Sequence, residues 1–144
     1  MSGPTASVAG PADRAEIAAL RTRVFVDEQG VPPEIERDAA DATAVHGIAR
    51  DATGAVVATG RLLLRDDGMA SIGRMATDAS ARGQGYGAAV LGVLQDEARR
   101  LGAGTVELHA QVNARGFYER AGYTAVGEVY QEAGIAHVTM VRWL

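Results

Sequence analysis

Apolar and polar positions recur with two different periods along the chain. Residues 5–9 read as a short strand, and Pro11 then opens a helix whose apolar residues recur at helical spacing. That apolar face consists of Ile17, Leu20, Val24 and Phe25. Gly30 and the pair Pro32-Pro33 end the helix, because neither residue type continues one well. The N-terminal part of the chain therefore predicts a strand followed by an amphipathic helix.

A two-residue period predicts three strands in the middle of the chain. Residues 45–50 and 55–64 have the pattern of a hairpin around a turn at 52–54, and residues 69–77 give the next strand. The stretch 34–41, which precedes the hairpin, is strongly acidic. We interpret this stretch as a short helical turn or loop.

A long helix dominates the second half of the chain. It follows a loop at residues 78–84, and Gly102 and Gly104 stop it. Its apolar stripe consists of Val90, Leu91, Leu94, Ala98 and Leu101. The remaining elements are a strand, a short helix and a closing hairpin, at 105–110, 113–121, 123–130 and 135–143.

The order of these elements is β-α-(α)-β-β-β-α-β-α-β-β. It predicts an α/β fold with a mixed, mostly antiparallel central sheet flanked by helices. The 144 residues suit one core, and neither a repeat nor a linker interrupts them. We therefore expect a single domain over residues 1–144.

Composition narrows the classes of partner. The net charge of −4 disfavours nucleic acid as the main partner, because a phosphate backbone binds a basic face. No apolar stretch approaches the roughly 18 residues that a membrane span needs. Residues 1–11 lack the basic and apolar regions of a secretory signal. We expect a cytoplasmic protein with no nucleic-acid or membrane partner.

Two residue types are missing, and their absence limits the chemistry. Without cysteine, the chain has no disulfide, thiolate metal site or cysteine nucleophile. Without lysine, it has no Schiff base and no P-loop lysine. The histidines, His46, His109 and His137, are scattered and show no metal-ligand spacing, so we expect no metal.

The most informative segment is Arg82-Gly83-Gln84-Gly85-Tyr86-Gly87, which follows a strand and opens the long helix. Glycines let the main chain approach a ligand and turn its N–H groups towards it. The start of a helix adds unpaired N–H groups and a partial positive charge. The segment therefore predicts a phosphate or pyrophosphate site.

Three ligand classes carry such a phosphate group. Gly83, Gly85 and Ala88 match the dinucleotide fingerprint G-x-G-x-x-A. The context argues against that ligand, because residues 78–81 separate strand from loop and the chain ends in a hairpin instead of further βα units. A Walker A loop requires the missing lysine. Coenzyme A is left as the expected ligand.

The chain resembles the GNAT superfamily of acyltransferases at this point. Arg82, Gly85 and Gly87 match the pattern Q/R-x-x-G-x-G/A at the start of the third helix of that family. Residues 113–123, N-A-R-G-F-Y-E-R-A-G-Y, resemble its N-x-x-A-x-x-F/L-Y-x-x-x-G-F/Y block, with Gly116 in place of an alanine-like residue. The resemblance covers the whole chain and implies the GNAT acyltransferase fold.

The N-terminal half narrows the resemblance to one branch. Residues 21–32, R-T-R-V-F-V-D-E-Q-G-V-P, look like the ElaA-type branch, as do Glu36, Asp38, Asp41 and His46. The R-x-x-V-F and E-x-D-x-x-D elements are also similar to acyl-homoserine-lactone synthases, which share the fold but are longer. Substrates of the ElaA-type branch are poorly defined, so the resemblance does not name an acceptor.

The resemblance also implies a set of site residues. Residues 72–77 look like the fourth strand of the family, in which the main chain binds the pantetheine arm and the Met75 amide points at the thioester carbonyl. Asn113 and Tyr118 fall on positions that contact coenzyme A and protonate its leaving thiolate. The implied cofactor-binding residues are Met75, Ala76, Thr77, Arg82, Gly83, Gln84, Gly85, Tyr86, Gly87, Asn113 and Tyr118.

Acetyl transfer to an amine needs an oxyanion donor and a general acid. We assign the first role to the main-chain amide of Met75. Tyr118 is the expected acid, since a phenol is protonated at neutral pH. Its neighbour Phe117 is the better candidate for the core. Asn113 is also a suitable N-cap for the short helix, a role compatible with cofactor contact.

The general base is left open among several groups, and Glu36 and His46 are our first choices. The full set is Glu28, Glu36, Asp38, Asp41, His46, Glu107 and His109. We expect the acidic stretch 34–41 to attract a cationic amine. Because the chain has no cysteine, we expect direct transfer in a ternary complex instead of an acyl-cysteine relay.

These observations predict an acetyl-CoA-dependent N-acetyltransferase that acts on a primary amine of a small molecule. One alternative is a non-catalytic acyl-CoA-binding module, which could lose Tyr118 and Asn113, although both are present. Another is an acyltransferase related to the acyl-homoserine-lactone synthases. A homodimer through the C-terminal hairpin, residues 136–143, is also left open.

Overall fold

The computed structural model describes residues 3–144 and contains a seven-stranded sheet. The strands are β1 (Ala6–Val8), β2 (Val45–Arg50), β3 (Val56–Leu64), β4 (Met69–Thr77), β5 (Thr105–Gln111), β6 (Thr124–Glu132) and β7 (Ile135–Trp143). The helices are α1 (Arg14–Arg21), α2 (Pro33–Glu36), α3 (Tyr86–Arg100) and α4 (Arg115–Arg120). The predicted order of elements and the mixed α/β class are confirmed.

The first helix differs from the regular helix that the pattern predicts. After α1 the chain widens into π-helical turns over Thr22–Glu28, and Val24 and Phe25 stay buried there. π-helical turns are rare in proteins, and those that occur are often found at functional sites. None of the helices described in residues 3–144 combines the length and apolar character needed to cross a membrane.

The sheet has the order β1-β2-β3-β4-β5-β7-β6, and its neighbours are antiparallel except for β4 and β5. These two parallel strands pair only between Met69–Ser71 and Thr105–Glu107. Beyond Ser71 and Glu107, β4 and β5 are not paired with each other. A gap therefore opens within the sheet towards the C-terminal ends of both strands.

A β-bulge interrupts β4 beside this gap. The β3–β4 register moves from Thr59 opposite Ala76 to Arg61 opposite Gly73, so two β4 residues, Arg74 and Met75, face one β3 residue. Arg74 adopts a left-handed backbone with φ of 51°. A bulge leaves its extra residue outside the ladder and re-aims the neighbouring groups.

Apolar side chains form a core on each face of the sheet. On one face, α3 packs Val90, Leu91 and Leu94 against residues from both sides of the gap. On the other, the first helix and its π-helical extension cover β2 to β4 with a smaller cluster. That cluster consists of Ile17, Leu20, Val24, Phe25, Val31, Ile48, Val56 and Ala76. Residues of both clusters lie beside the gap, Phe25 and Val31 from the smaller cluster and Tyr118 from the larger one.

Candidate active site

A cleft of about 780 Å³ lies where β4 and β5 part. It extends from Arg82 past the end of β4 to the turn between β6 and β7. The cleft brings together three of the regions that the sequence singles out: the strand at 72–77, the residues Asn113 and Tyr118, and the acidic residue Glu36.

The glycine loop has the backbone that an anion cradle needs. Gly83 and Gly85 have φ values of 77° and 91°, and Gly85 is the N-cap of α3. A Cβ atom at Gly83 would meet nothing within 4 Å, so conformation and not crowding requires this glycine. The loop from Gly83 to Gly85 is exposed, next to the end of the cleft that Arg82 lines.

Arg82 connects this loop to the cleft. Its Nε donates to the carbonyl oxygen of Thr77 at 3.0 Å, and its Nη2 lies 2.7 Å from a carboxylate oxygen of Glu28. Both side chains of this ion pair are well exposed, so the pair contributes little to stability. A bound phosphate group can therefore replace Glu28 as the partner of the guanidinium at small cost.

Met75 lies in the β4 bulge. Met75, Ala76 and Thr77 all line the cleft. A Cβ atom at Gly60, opposite the bulge, would meet the sulfur at the flexible end of Met75 and Leu94 Cδ1 at 3.0 Å, so both side chains pack closely against this glycine. The Met75 side chain thus lies across β3, beside the main-chain amide that we predicted as the oxyanion donor.

Tyr118 is the buried aromatic residue of α4, contrary to our expectation that Phe117 would fill the core. Tyr118 is 8% exposed, while Phe117 is only partly buried. Burial raises the pKa of Tyr118 to about 12. No side chain or main-chain group in residues 3–144 bonds its hydroxyl, and none of the fully buried side-chain polar atoms there lacks a partner. The hydroxyl therefore opens onto the cleft that Tyr118 lines.

Asn113 lies beside the cleft in the 3-10 turn Val112–Ala114. It does not cap α4, whose N-cap is Ala114 with no side-chain bond. Near it, Gln111 on β5 donates from Nε2 to Oε1 of Gln29 at 2.8 Å. This bond links β5 to the end of the π-helical segment across the cleft, because both glutamines line it.

Glu36 is held in an ion-pair network and is not a free base. It is 3% exposed, and its carboxylate accepts from Nε of Arg21. Arg21 also donates to Asp41, which accepts in turn from Arg61. Burial and the ion pair with Arg21 argue against Glu36 as the general base and favour a structural role for this carboxylate.

The acidic stretch 34–41, which we expect to attract a cationic amine, is extensively ion-paired in the structure. Arg61 donates to both carboxylate oxygens of Asp38, and this bonding lowers the pKa of Asp38. Burial disfavours the charge of Asp41, but hydrogen bonds from Arg21 and Arg61 outweigh it and hold its pKa far below the usual range. Arg21, Arg61 and Arg74 pair with three of the four carboxylates of the stretch, which weakens its attraction for a cation.

We expect Arg21→Met to lower the free energy of unfolding by about 3–5 kcal/mol, because it leaves the buried Glu36 without its cation. The matched control is Arg23→Met in the adjoining turn. Its ion pair with Asp78 is exposed, so this change should cost no more than about 1 kcal/mol. Urea unfolding measures both, and equal losses would contradict a stabilising role for the network.

His46 lies outside the cleft. It lines a separate depression of about 220 Å³ together with Arg14, Arg37 and Asp41. Burial lowers its pKa, and its Nε2 contacts the main-chain oxygen of Asp41 at 3.0 Å. His46 shares this depression with Glu36 but does not line the cleft that contains Met75 and Tyr118, which argues against His46 as the catalytic base.

Sequence reasoning missed two residues at the far end of the cleft, Glu132 and His137. A signal was available: the two-residue period of the closing hairpin places alternate side chains on one face of the sheet. The pairing of β5 with β7, which sets His109 and His137 on that same face, could not be read from the pattern. In residues 3–144, no group of three or more histidine, aspartate or glutamate side chains is arranged to hold a metal ion.

Comparison with known proteins settles the family. The sequence profile of the acetyltransferase (GNAT) domain matches residues 11–144. The chain belongs to the GNAT acetyltransferase family. A curated relative, the uncharacterized N-acetyltransferase YjcF of Bacillus subtilis, is 34% identical over 124 residues, which are 85% of this chain and 87% of that protein.

Solved structures share the fold over nearly the whole chain. The crystal structure of an acyl-CoA N-acyltransferase from Pseudomonas aeruginosa is 35% identical, with a TM-score of 0.82, and the match covers 97% of this chain and 99% of that one. The crystal structure of Escherichia coli ElaA is 27% identical, with a TM-score of 0.82 and 99% of both chains covered. The predicted resemblance to ElaA is confirmed, and the protein is an acyltransferase.

Proposed function

We propose that this GNAT protein transfers an acetyl group from acetyl-coenzyme A directly onto a primary amine of a small molecule. One observation carries the proposal: a continuous cleft joins Arg82, beside the glycine loop, to the β4 bulge, to Tyr118 and to a polar far end. A donor entering beside α3 and an acceptor entering from the far end would meet at the bulge. The resemblance to an acyl-CoA N-acyltransferase supports coenzyme A as the carrier.

The residues present fit coenzyme A. The loop from Gly83 to Gly85 and the first turn of α3 present main-chain N–H groups for a pyrophosphate. The facing edges of β4 and β5 beyond Ser71 and Glu107 carry main-chain groups without mutual bonds, which an extended arm with amide groups can satisfy. When bound, acetyl-coenzyme A supplies the acyl group as an activated thioester.

Met75 and Tyr118 perform the chemistry in this proposal. The Met75 amide, displaced from the ladder by the bulge, donates to the oxygen on which negative charge develops. The raised pKa of Tyr118 disfavours its phenolate form. Tyr118 therefore gives its proton to the sulfur only as it regains one from the nitrogen, so it acts as a relay.

The experiment is an acceptor screen that measures free thiol from acetyl-coenzyme A. The panel contains benzylamine, 1,4-diaminobutane, glycinamide and a peptide with one lysine and a blocked N-terminus. We expect thiol release and an acetylated product, identified by mass, with at least one small amine. Thiol release with the peptide but with none of the small amines would overturn the small-molecule assignment. If no amine in the panel caused thiol release, N-acetyl transfer would be overturned.

Initial velocities separate direct transfer from a relay through the enzyme. Direct transfer needs donor and acceptor bound together, so double-reciprocal plots at several amine concentrations should intersect. Parallel lines would indicate a covalent acyl-enzyme and would contradict direct transfer.

A further inference from the structure

A cluster of titratable side chains forms the far end of the cleft, away from Arg82. Glu132, the last residue of β6, and His137 of β7 both line it, as does His109 of β5. His109 and His137 share one face of the sheet, because β5 and β7 pair with His109 opposite Thr139 and Gln111 opposite His137. None of these residues belongs to the ion-pair network around Glu36.

The hydrogen bonding of His137 determines where its proton sits. Its Nδ1 lies 2.7 Å from the main-chain oxygen of Ile135. A carbonyl oxygen only accepts, so Nδ1 must carry a hydrogen and donate it. In the neutral ring Nε2 is therefore a bare acceptor, and it faces a carboxylate oxygen of Glu132 at 3.6 Å.

Nε2 of the neutral ring and the Glu132 carboxylate are both acceptors, so a group that bonds to both must be a donor. A proton on His137, a water molecule or the ammonium group of a ligand meets this requirement. A primary ammonium has three N–H donors and can satisfy both acceptors at once.

The hairpin turn holds this pair in place. Ala133 and Gly134 form a two-residue loop in which both φ values are positive, 51° and 77°. Such a loop matches the twist of the flanking strands and sets the register, so Glu132 lies opposite Ile135. A left-handed alanine costs free energy, and Ala133 lines the cleft, so the strain lies at the site itself.

The other candidate bases that line the cleft are less suited to this role. Glu28 contacts Arg82 at the opposite end of the cleft, and Glu36 pairs with Arg21. His109 donates from Nδ1 to Glu132 at 3.0 Å, and its side chain is 48% exposed. The His137 side chain is 8% exposed, which shields its Nε2 from solvent.

We propose that His137 is the general base of the reaction and that Glu132 binds the ammonium group of the acceptor beside it. This inference rests on the proposed N-acetyl transfer. Glu132 receives a bond from His109, which orients its carboxylate, and its remaining charge stabilises the imidazolium that forms.

The protons balance as follows. The ammonium gives one proton to Nε2 of His137, which later releases it to solvent. The neutral amine attacks the thioester carbon, the carbon–nitrogen bond forms and the carbon–sulfur bond breaks. The second proton leaves the nitrogen as Tyr118 donates its own to the sulfur. The products are an amide, a free thiol and one proton.

The test compares His137→Ala, Glu132→Gln and the control Tyr123→Phe, using the panel amine with the highest kcat/KM. His137→Ala should lower kcat by about 10²–10⁴-fold, and added imidazole should restore part of it, because the vacated space opens onto the cleft. Glu132→Gln should raise KM for the amine about tenfold or more and leave KM for acetyl-coenzyme A within twofold. Tyr123→Phe, which alters a buried residue outside the cleft, should keep kcat within threefold.

Each outcome decides the inference separately from the proposed function. If wild type transfers acetyl groups but His137→Ala keeps its kcat, or loses it without any response to imidazole, His137 is not the base. If melting curves show that His137→Ala does not fold, Glu132→Gln decides, and an unchanged amine KM overturns the assignment. Absence of thiol release in wild type with every amine overturns N-acetyl transfer and this inference with it.

Discussion

Tyr118→Phe is expected to lower kcat by about 10²–10⁴-fold and to leave the affinity for acetyl-coenzyme A near that of wild type. The ring packs edge-to-face against Phe117 and Tyr123, with centroids 5.0 Å and 5.9 Å away, and phenylalanine keeps these contacts. Only the hydroxyl group is lost, and with it the proton for the sulfur. Steady-state kinetics with the best acceptor measure kcat, and calorimetry measures cofactor affinity.

The matched control is Tyr123→Phe. Tyr123 is also buried, but its hydroxyl donates to Oε1 of Gln95 at 2.7 Å and does not line the cleft. This variant should lose stability and keep kcat, since a buried acceptor is left without its donor. Equal losses of kcat in the two variants, or none in Tyr118→Phe when chemistry limits turnover, would remove Tyr118 from the mechanism.

Gly85→Asp should weaken acetyl-coenzyme A binding by about 10²–10³-fold. A carboxylate about 4 Å from a phosphate group costs roughly 4 kcal/mol at an effective dielectric constant near 20, and a tenfold loss corresponds to 1.4 kcal/mol. Calorimetry at several salt concentrations measures the effect. The repulsion should decrease as salt is added, because the loop is exposed.

Gly85→Asn controls for the backbone, since φ at this position is 91° and both side chains strain it. Asparagine has nearly the same size as aspartate and no charge. It should therefore reproduce the strain but little of the loss of affinity. Wild-type affinity in Gly85→Asp, or the same affinity in both variants, would contradict the assignment of the pyrophosphate site to this loop.

The fold was predictable because its elements are marked by strong local signals. The stripe of Val90, Leu91 and Leu94 has a helical period, and Gly102 follows it with φ of 92° at the helix end. The hairpins have alternating patterns bounded by turn residues. The glycine loop was equally predictable, because Gly83 and Gly85 have positive φ values, a conformation that glycine adopts more easily than other residues.

Non-local pairing was not predictable from the pattern. The stretch 34–41 reads as an acidic surface, but Arg21 and Arg61, distant in sequence, pair with three of its four carboxylates. The bulge at Arg74 depends on the register between β3 and β4, which period alone does not determine. The exchange of roles between Phe117 and Tyr118 has the same origin, because both are large aromatic residues on a helix of one and a half turns.

The narrow contact between β4 and β5 has a consequence for how the molecule holds its shape. Three residue pairs join the two halves of the sheet, so hydrogen bonds contribute little to their alignment. The apolar face of α3 does more, since Leu94 and its neighbours pack in one cluster with Leu62 from one half and Met140 from the other. Helix α3 therefore holds the two halves of the sheet together across the gap between β4 and β5. The width of the gap between β4 and β5 therefore depends on side-chain volumes on the α3 face of the sheet, opposite the face that carries His109 and His137.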